Sequence, residues 1–268
     1  QMGADIKALK SRIRSVDSTL HLTSAMGLVA SSKMRKANIA MQNGREYVRA
    51  FSSLVDVLLA SPDCARSPFM RETNGRRARL IVIAGDRGLA GGYNANVFRL
   101  FATAGSAEVI PIGKRACERF AKPIVSSEAF SSADAATLAR TLCADFLNGE
   151  FDSLGILSTH YHSMMSHEPE ITRVLPLERR FVSADGGVIF EPDERTVLDS
   201  VVPEYVAGLI LAAVRESYAC EVAARRIAMD AAGKNAQSMI DDLNLQYNRA
   251  RQSAITQEIT EIVAGGNA

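Results

Sequence analysis

The sequence predicts an α/β protein that combines a long antiparallel two-helix coiled coil with a central Rossmann-like α/β domain with a mainly parallel sheet. Two observations predict this class. Small and apolar residues recur with a spacing of 3 and 4 at both ends of the 268-residue chain, and short apolar runs alternate with helical patterns between them. We expect an N-terminal coiled-coil helix at 1–60, a linker at 61–77, the α/β domain at 78–200 and a C-terminal coiled-coil helix at 203–268.

The N-terminal helix is predicted over residues 5–59, because no proline precedes Pro62 and Asp5 can serve as the N-cap. At 1.5 Å per residue this helix is roughly 80 Å long. The apolar residues with 3-4 spacing form a narrow stripe, or seam, along one side of this helix, and such a seam requires a partner helix. The seam consists of Leu9, Ile13, Val16, Leu20, Thr23, Gly27, Ala30, Met34, Ala37, Met41, Gly44, Val48, Phe51, Val55 and Leu58.

The middle of the chain changes to short apolar runs that are typical of buried strands. We expect strands at 80–84, 108–112, 124–126 (weak), 153–161 and 170–177, and helices at 94–104, 115–121 and 133–148. Strands that alternate with helices imply a mainly parallel sheet covered on both faces.

The C-terminal helix is predicted from Pro203 to about Ala264, where Gly265 ends it. Its seam consists of Met229, Ala232, Ala236, Ile240, Leu243, Tyr247, Ala250 and Ala254. The expected partner is the N-terminal helix of the same chain.

An antiparallel pair of these two helices would place Leu58 near Val206 and Leu9 near Ala254. The last stretch would then project beyond its partner as an apolar tip, formed by Ile255, Ile259, Ile262 and Val263. An uncovered apolar surface of this kind indicates a binding site.

The composition is that of a globular protein, with 47% hydrophobic and 23% charged residues. No apolar run approaches the ~18 residues of a membrane span, and we expect no signal peptide. The four scattered cysteines show no disulfide-like spacing, which favours a reducing compartment. A net charge of +1 argues against a general nucleic-acid binder.

Positive charge is concentrated near the N-terminus. Residues 1–50 contain nine Lys/Arg and three Asp/Glu, a difference of +6. This charge indicates either a solvated helix face or an acidic protein surface around the helix. The basic residues Lys33, Arg35, Lys36, Arg45 and Arg49 are interleaved with the seam, which disfavours a nucleic-acid partner.

Two candidate chemical sites can be weighed from the residues alone. Gly85–Asn94 (GDRGLAGGYN) follows a strand and precedes a helix, where a phosphate loop would lie, but it matches neither GxGxxG nor GxxxxGK[ST]. We therefore favour a tight turn. His160, His162 and His167 have no carboxylate or thiolate in register, so we expect no metal site. No Ser-His-Asp arrangement is apparent, and we expect no catalytic residue and no cofactor.

Several strings resemble the γ subunits of F-type ATP synthases, and together they span nearly the whole chain. They are residues 25–35 (AMGLVASSKMR), 85–94 (GDRGLAGGYN), 228–236 (AMDAAGKNA), 247–252 (YNRARQ) and 255–265 (ITQEITEIVAG). Ala90 stands where many members have cysteine, and the two-cysteine insert of chloroplast members is absent, so we expect no thiol control. The amino-acid sequences of these motifs are similar to those of bacterial members.

The resemblance implies a rotor shaft without chemistry of its own. In this family the terminal helices form a coiled coil inside a ring of three alpha and three beta subunits, and the α/β domain lies outside with the epsilon subunit on the c-ring. Proton flow turns the c-ring and the shaft, which drives sequential conformational change of the beta subunits. The implied location is the cytoplasmic face of the bacterial cell membrane, as a peripheral protein that touches the membrane only through the c-ring.

Carried over position by position, the resemblance implies three sets of contact residues. The beta-subunit contacts fall on Met26, Arg225, Gln252 and Thr256. The apical bearing falls on Ile255, Ile259, Ile262 and Val263, and the contacts of the foot with the c-ring fall on Phe190 and Glu191. Met26 has a plainer interpretation, which is packing within the coiled coil.

Two other functions remain open on the sequence. The first alternative is a nucleotide-binding α/β enzyme with helical extensions, which requires a phosphate cradle. The second is a homodimeric coiled-coil scaffold, in which the seams pair between two copies of the chain.

Overall fold

The computed structural model describes residues 2–71, 77–179 and 190–265, without the side chains of residues 2–4. The chain forms two compact units. The first contains residues 1–31 and 225–268, and the second contains residues 32–224.

Helices and strands alternate through most of the described residues. The order is α1 (Met2–Ala60), β1 (Ala78–Ile83), α2 (Tyr93–Phe101), β2 (Glu108–Ile112), α3 (Lys114–Arg119), α4 (Ser132–Leu147), β3 (Ser153–Tyr161), β4 (His167–Leu175) and α5 (Glu194–Gly265). The predicted α/β class and the long C-terminal helix are confirmed.

The second unit contains a four-stranded sheet in the order β2-β1-β3-β4. Strands β2 and β3 both pair with β1 in parallel, whereas β4 pairs antiparallel with β3. The prediction of a mainly parallel sheet is confirmed. The antiparallel direction of β4 follows from its short connection to β3, because a parallel pair needs a longer crossover.

The weak strand predicted at 124–126 is absent, and this prediction is wrong. The Gly113 N–H does donate to the Val125 carbonyl oxygen at 2.9 Å, but no ladder follows. Immediately after it, the Ser126 hydroxyl and the amides of Ser127 and Glu128 donate to the carboxylate of Asp86. These three hydrogen bonds turn the segment, so it cannot continue as a strand.

The main core of the second unit lies between the sheet, α4 and the adjoining parts of α1 and α5. Leu58, Phe146, Leu154 and Leu198 are completely buried there. Helix α4 begins with a capping box, in which Ser131 and Asp134 each accept a backbone N–H of the other. Capping satisfies amides that the first helical turn leaves unpaired, and it fixes where α4 begins.

Residues 61–71, which fall in the predicted linker, contribute to this core. They form two short 3-10 helices, Asp63–Arg66 and Pro68–Met70. Cys64 is completely buried, and Phe69 stacks on Phe146 with a ring-centroid distance of 6.2 Å. This part of the segment is therefore packed, and residues 72–76 lie outside the described residues.

Helix α5 begins at Glu194, nine residues before the predicted start at Pro203, so that prediction is wrong. Asp193 accepts the Thr196 N–H at 2.8 Å and thereby caps the first turn. Pro203 lies inside the helix. Val202 and Val206, on either side of it, are both completely buried. Their packing keeps the helix continuous although proline lacks the backbone N–H that would donate a helical hydrogen bond.

The two long helices pack in the second unit with a register that differs from the predicted one. The hydroxyls of Ser52 and Tyr205 lie 3.3 Å apart, and a Cβ atom on Gly44 would lie 3.4 Å from the Cα of Ala212. The predicted position of Leu58 near Val206 is therefore wrong by about two helical turns. The direction of the contacts is antiparallel, because the partner number falls as the α1 number rises.

The first unit shows antiparallel contacts of the same kind. A Cβ atom on Gly233 would lie 3.8 Å from both Leu20 and Thr23, and one on Gly27 would lie 3.6 Å from the Cβ of Met229. This register places Leu9 opposite a position about two turns before Ala254, so that predicted pairing is also wrong. In each unit, the seam residues named above are buried or half-buried.

Helix α5 also contains an 18-residue window with a mean hydropathy of 1.7, which is long and apolar enough to cross a membrane. The sequence-based expectation of no such run is therefore wrong by this criterion. Of that window, 39% is buried inside the protein, and the core helix of a globular protein passes the same test. The window is thus weak evidence for membrane insertion.

Candidate functional site

The glycine-rich turn 85–94 is held in place by two carboxylates of the second unit. Glu221 on α5, which is 1% exposed, accepts the N–H groups of Asp86 and Arg87 at 3.3 and 3.4 Å. Asn94 accepts the Gly85 N–H at 2.9 Å. A Cβ atom on Gly85 would lie 2.7 Å from the Glu221 side chain, so only glycine permits this approach.

The side chain of Asp86 closes the same turn from the other side. It accepts four hydrogen bonds, from the Ser126 hydroxyl and the amides of Lys114, Ser127 and Glu128. Burial alone would raise the pKa of Asp86, but these hydrogen bonds outweigh it and lower the pKa.

These contacts bear directly on the phosphate-loop alternative. A phosphate loop binds its ligand through free backbone N–H groups. In this turn the amides of Gly85, Asp86 and Arg87 already donate to side chains of the protein. The buried carboxylate of Glu221 would also repel a phosphate. The turn therefore serves to attach the α/β fold to α5, as the tight-turn interpretation predicts.

A second buried carboxylate, Glu216, organises a polar cluster between α1, β3 and α5. Its Oε1 accepts from Arg45 at 2.6 Å and from the Tyr161 N–H at 2.8 Å, and it lies 3.2 Å from His160 Nδ1. Burial opposes ionisation of Glu216, but the hydrogen bonds from His160 and Arg45 dominate and lower its pKa to about 2. The hydrogen bond with Glu216 raises the pKa of His160.

The histidines singled out from the sequence do not assemble into one site. His160 contacts Glu216, whereas His167 is half-buried, and burial lowers its pKa. Within 2–71, 77–179 and 190–265, no group of three His, Cys, Asp or Glu residues could hold a metal ion.

All four cysteines are buried and unpaired. Burial raises the pKa of Cys64 to about 11 and that of Cys143 to about 12, so neither thiol is a reactive thiolate near neutral pH.

Part of the N-terminal positive charge is neutralised within the second unit. Lys33 pairs with Glu128, and Arg45 pairs with Glu216. Arg35, Lys36 and Arg49 are exposed. The positive surface that remains for a partner is therefore smaller than the sequence count indicates.

The four residues expected to contact beta subunits lie in the first unit, at two levels. Met26 and Arg225 are half-buried near the contact between Gly27 and Met229. Gln252 and Thr256 are exposed and one turn apart on α5, and the Thr256 hydroxyl donates to the Gln252 carbonyl oxygen at 2.9 Å. The 27 residues from Arg225 to Gln252 correspond to roughly 40 Å of helix, so the two levels are separate surfaces.

The apolar tip is exposed, as the sequence predicts. The exposed fractions are 47% for Ile255, 57% for Ile259, 73% for Ile262 and 61% for Val263. Four large apolar side chains on two and a half turns of one helix are a typical protein-binding surface.

The expected foot residues differ in their surroundings. Phe190 is half-buried against the main core of the second unit, whereas Glu191 is exposed. The expected foot segment, 190–193, lies within the described residues, whereas residues 180–189 before it lie outside them.

Sequence reasoning missed the two carboxylates that hold the second unit together, Glu216 and Glu221. A signal was present, because both lie in the mainly apolar stretch from Val206 to Ala224, in which Arg215 is the only other charged residue. Charged residues in such a stretch are seldom buried unless they are paired.

Comparison with known proteins identifies the family. A family model described as ATP synthase matches residues 5–268. The ATP synthase gamma chain of Ruminococcus albus is 41% identical, covering 97% of this chain and 96% of the relative. The gamma chain of Moorella thermoacetica is 37% identical with 99% of each chain covered. A sodium ion specific ATP synthase gamma chain of Acetobacterium woodii is 33% identical, with 100% and 99% covered.

Solved structures agree in fold. A chain in the cryo-EM structure of the Euglena gracilis mitochondrial ATP synthase (OSCP/F1/c-ring) matches with a TM-score of 0.71 at 18% identity, covering 99% of this chain and 94% of the other. A chain of the Tetrahymena thermophila central stalk and c-ring matches with a TM-score of 0.62 at 21% identity, covering 79% and 99%. At these identities the structural matches support the fold, and the sequence matches carry the assignment. The chain therefore belongs to the ATP synthase gamma chain family.

Proposed function

We propose that this chain is the central-stalk, or rotor, subunit of a proton-translocating F-type ATP synthase. It turns with the c-ring, which ion flow drives, and couples that rotation to sequential conformational change of the catalytic beta subunits. The observation that carries the proposal is the match of residues 5–268 to the ATP synthase family, together with gamma chains that align over 96–99% of their own length.

The two terminal helices act in this proposal as an antiparallel coiled coil. The 3-4 seam and the close contacts at Gly27 and Gly44 support this assignment. Glycine and alanine in a seam let two helices approach closely, which makes a slim shaft suited to the inside of a ring. We describe the α/β fold as Rossmann-like in architecture only and assign it no nucleotide-binding role. The N–H groups of Asp86 and Arg87 in its glycine-rich turn already donate to Glu221.

The shaft would influence beta subunits through differences in contact energy. A partner conformation is favoured only if the shaft contacts it better than the alternatives. Arg225 and Gln252 carry polar groups suited to acidic or carbonyl groups on a beta-subunit loop. Met26 and Thr256 complete this set. The exposed tip Ile255–Val263 would turn within an apolar collar formed by the alpha and beta subunits at the top of their ring.

The second unit would lie outside the ring, with the epsilon subunit and the c-ring as partners. Phe190 and Glu191 are the proposed c-ring contacts, and the exposed carboxylate of Glu191 is available to a polar c-ring loop. The protein would perform no chemistry of its own. Its location would be the cytoplasmic face of the bacterial cell membrane, where it is held peripherally.

The experiment combines Arg225→Glu with Gln252→Ala in the assembled complex. We expect ATP turnover and proton pumping to fall together, because both polar contacts with beta loops are removed. The matched control is Arg140→Glu on the exposed face of α4, which reverses the same charge outside the proposed contacts. Co-purification with alpha and beta chains establishes that each variant assembles. Wild-type turnover and pumping in the double variant would show that these contacts are wrongly assigned.

A further inference from the structure

A cavity of about 450 Å³ lies in the second unit between one face of the sheet and the two long helices. This volume is within the range of small-molecule binding sites. Strands β3 and β4 form one wall, and residues of α1 and α5 form the other. Six of the twelve described lining residues are apolar, and these are Val48, Ile156, Val174, Leu209, Ala212 and Ala213.

The lining also carries three cationic groups, Arg45, Arg49 and His160. Arg45 uses its Nη2 for both Glu216 and the Tyr161 carbonyl oxygen. Arg49 is exposed at the edge, and its guanidinium has no hydrogen-bond or ion-pair partner among the described residues. A cation that has no partner among the described residues, next to apolar lining residues, is suited to an anionic group on a ligand.

Two carboxylates beside Arg45 and His160 limit how much negative charge a ligand can carry. Glu216 lines the cavity, and Glu170 lies 3.6 Å from His160 Nε2. With His160 protonated, three positive groups face two negative ones, which leaves a surplus of one positive charge. A polyphosphate would bring several negative charges next to both carboxylates, and none of the described lining residues is a Phe, Tyr or Trp that could stack on a nucleobase.

We propose that this cavity binds a small amphipathic monoanion, a carboxylate on an aliphatic chain, with the carboxylate on Arg49 and the chain against the apolar wall. The apolar contact supplies most of the affinity, because each CH₂ group that is buried adds to the free energy of binding. The ion pair with Arg49 fixes the orientation. None of the residues proposed to contact the beta subunits, the apical collar or the c-ring lines this cavity.

The test is calorimetric titration of the full chain with octanoate, and with 1-octanol as the uncharged counterpart. We expect saturable one-to-one binding of octanoate, at least fivefold tighter than that of octanol. Arg49→Gln should remove that preference, because it deletes the cation at an exposed position. Arg35→Gln is the matched control, since Arg35 is an exposed arginine on the same helix and lies outside the cavity. It should bind as the wild type does.

A second variant tests the cavity itself. Thr172 is an exposed residue of the edge strand β4 that lines the cavity, so Thr172→Trp should fill it and abolish octanoate binding. Circular dichroism checks that the variant is folded. The proposal is overturned if octanoate shows no saturable binding to the wild type, if octanol binds equally well, or if folded Thr172→Trp or Arg49→Gln binds octanoate like the wild type.

Discussion

Replacement of Glu216 by glutamine tests how much the buried polar cluster contributes to the stability of the second unit. Glutamine keeps the size of the side chain but removes the charge that Arg45 and His160 contact at 2.6 and 3.2 Å. The charge matters because the carboxylate is only 10% exposed, so water cannot replace the lost partners. We expect the variant to fold with a much smaller free energy of unfolding.

The magnitude follows from the pKa of Glu216, which falls from an ordinary value of 4.5 to about 2. At 1.36 kcal/mol for a tenfold change, this difference corresponds to about 3 kcal/mol. A lowered pKa stabilises the folded protein at any pH above the unfolded value. The contribution is therefore complete above pH 4.5, falls to about half near pH 3, and is lost as the pH drops through about 2.

His160 adds the opposite dependence on pH. Its pKa is raised by Glu216, so its contribution is complete below 6.5 and is lost as the pH rises through the higher folded value. Glu216→Gln removes this contribution as well. The difference between wild type and variant should therefore be largest between about pH 4.5 and 6.5.

Urea unfolding followed by far-UV circular dichroism at pH 3, 5.5 and 7 measures this difference. The matched control is Glu204→Gln, an exposed glutamate on the same helix, which should change the free energy of unfolding by less than about 0.5 kcal/mol. A loss below 1 kcal/mol at pH 5.5, or an equal loss at pH 3 and pH 5.5, would refute the reasoning.

Two further variants test the turns that position the sheet. Gly113→Ala should cost more than about 3 kcal/mol in thermal unfolding, because φ is +96° and the new Cβ would lie 1.9 Å from the Ala84 carbonyl oxygen. Gly105→Ala, at φ +78° with nothing within 4 Å, should cost only about 1–2 kcal/mol, and equal losses would contradict this account. Asp86→Asn should cost about 2 kcal/mol at pH 7, because it weakens four hydrogen bonds to a charge. Because the pKa of Asp86 is lowered, that loss should shrink as the pH falls below about 4, whereas exposed Asp242→Asn should show no loss.

Sequence periodicity predicted the long helices and most strands, because burial of one face leaves a regular spacing in the residues. It could not predict the direction of β4, since alternation is the same in parallel and antiparallel strands. Pro203 was expected to mark the start of α5, because proline is favoured at the first helical turn. Burial of Val202 and Val206 instead keeps the helix continuous through Pro203. The predicted register between α1 and α5 was wrong as well.

The family resemblance gave the positions of the contact residues, but the surroundings of those residues could not be predicted from it. The exposed tip could be predicted, because the expected pairing of the terminal helices leaves the last residues of α5 uncovered. The cluster around Glu216 could not, because it joins Arg45, His160 and Glu216, which are far apart in the sequence and brought together only by folding. Long-range polar contacts of this kind leave no periodic pattern.

The occupied amides of the glycine-rich turn have a consequence for how the protein responds to the cell. A nucleotide-binding turn is filled or emptied as metabolite concentrations change, and its shape changes with them. In this protein the side chain of Glu221 takes the place that a bound phosphate would have, and it is always present because it is part of the chain. We therefore expect this junction to keep its shape as ATP and ADP concentrations change, which is what a part that transmits torque requires.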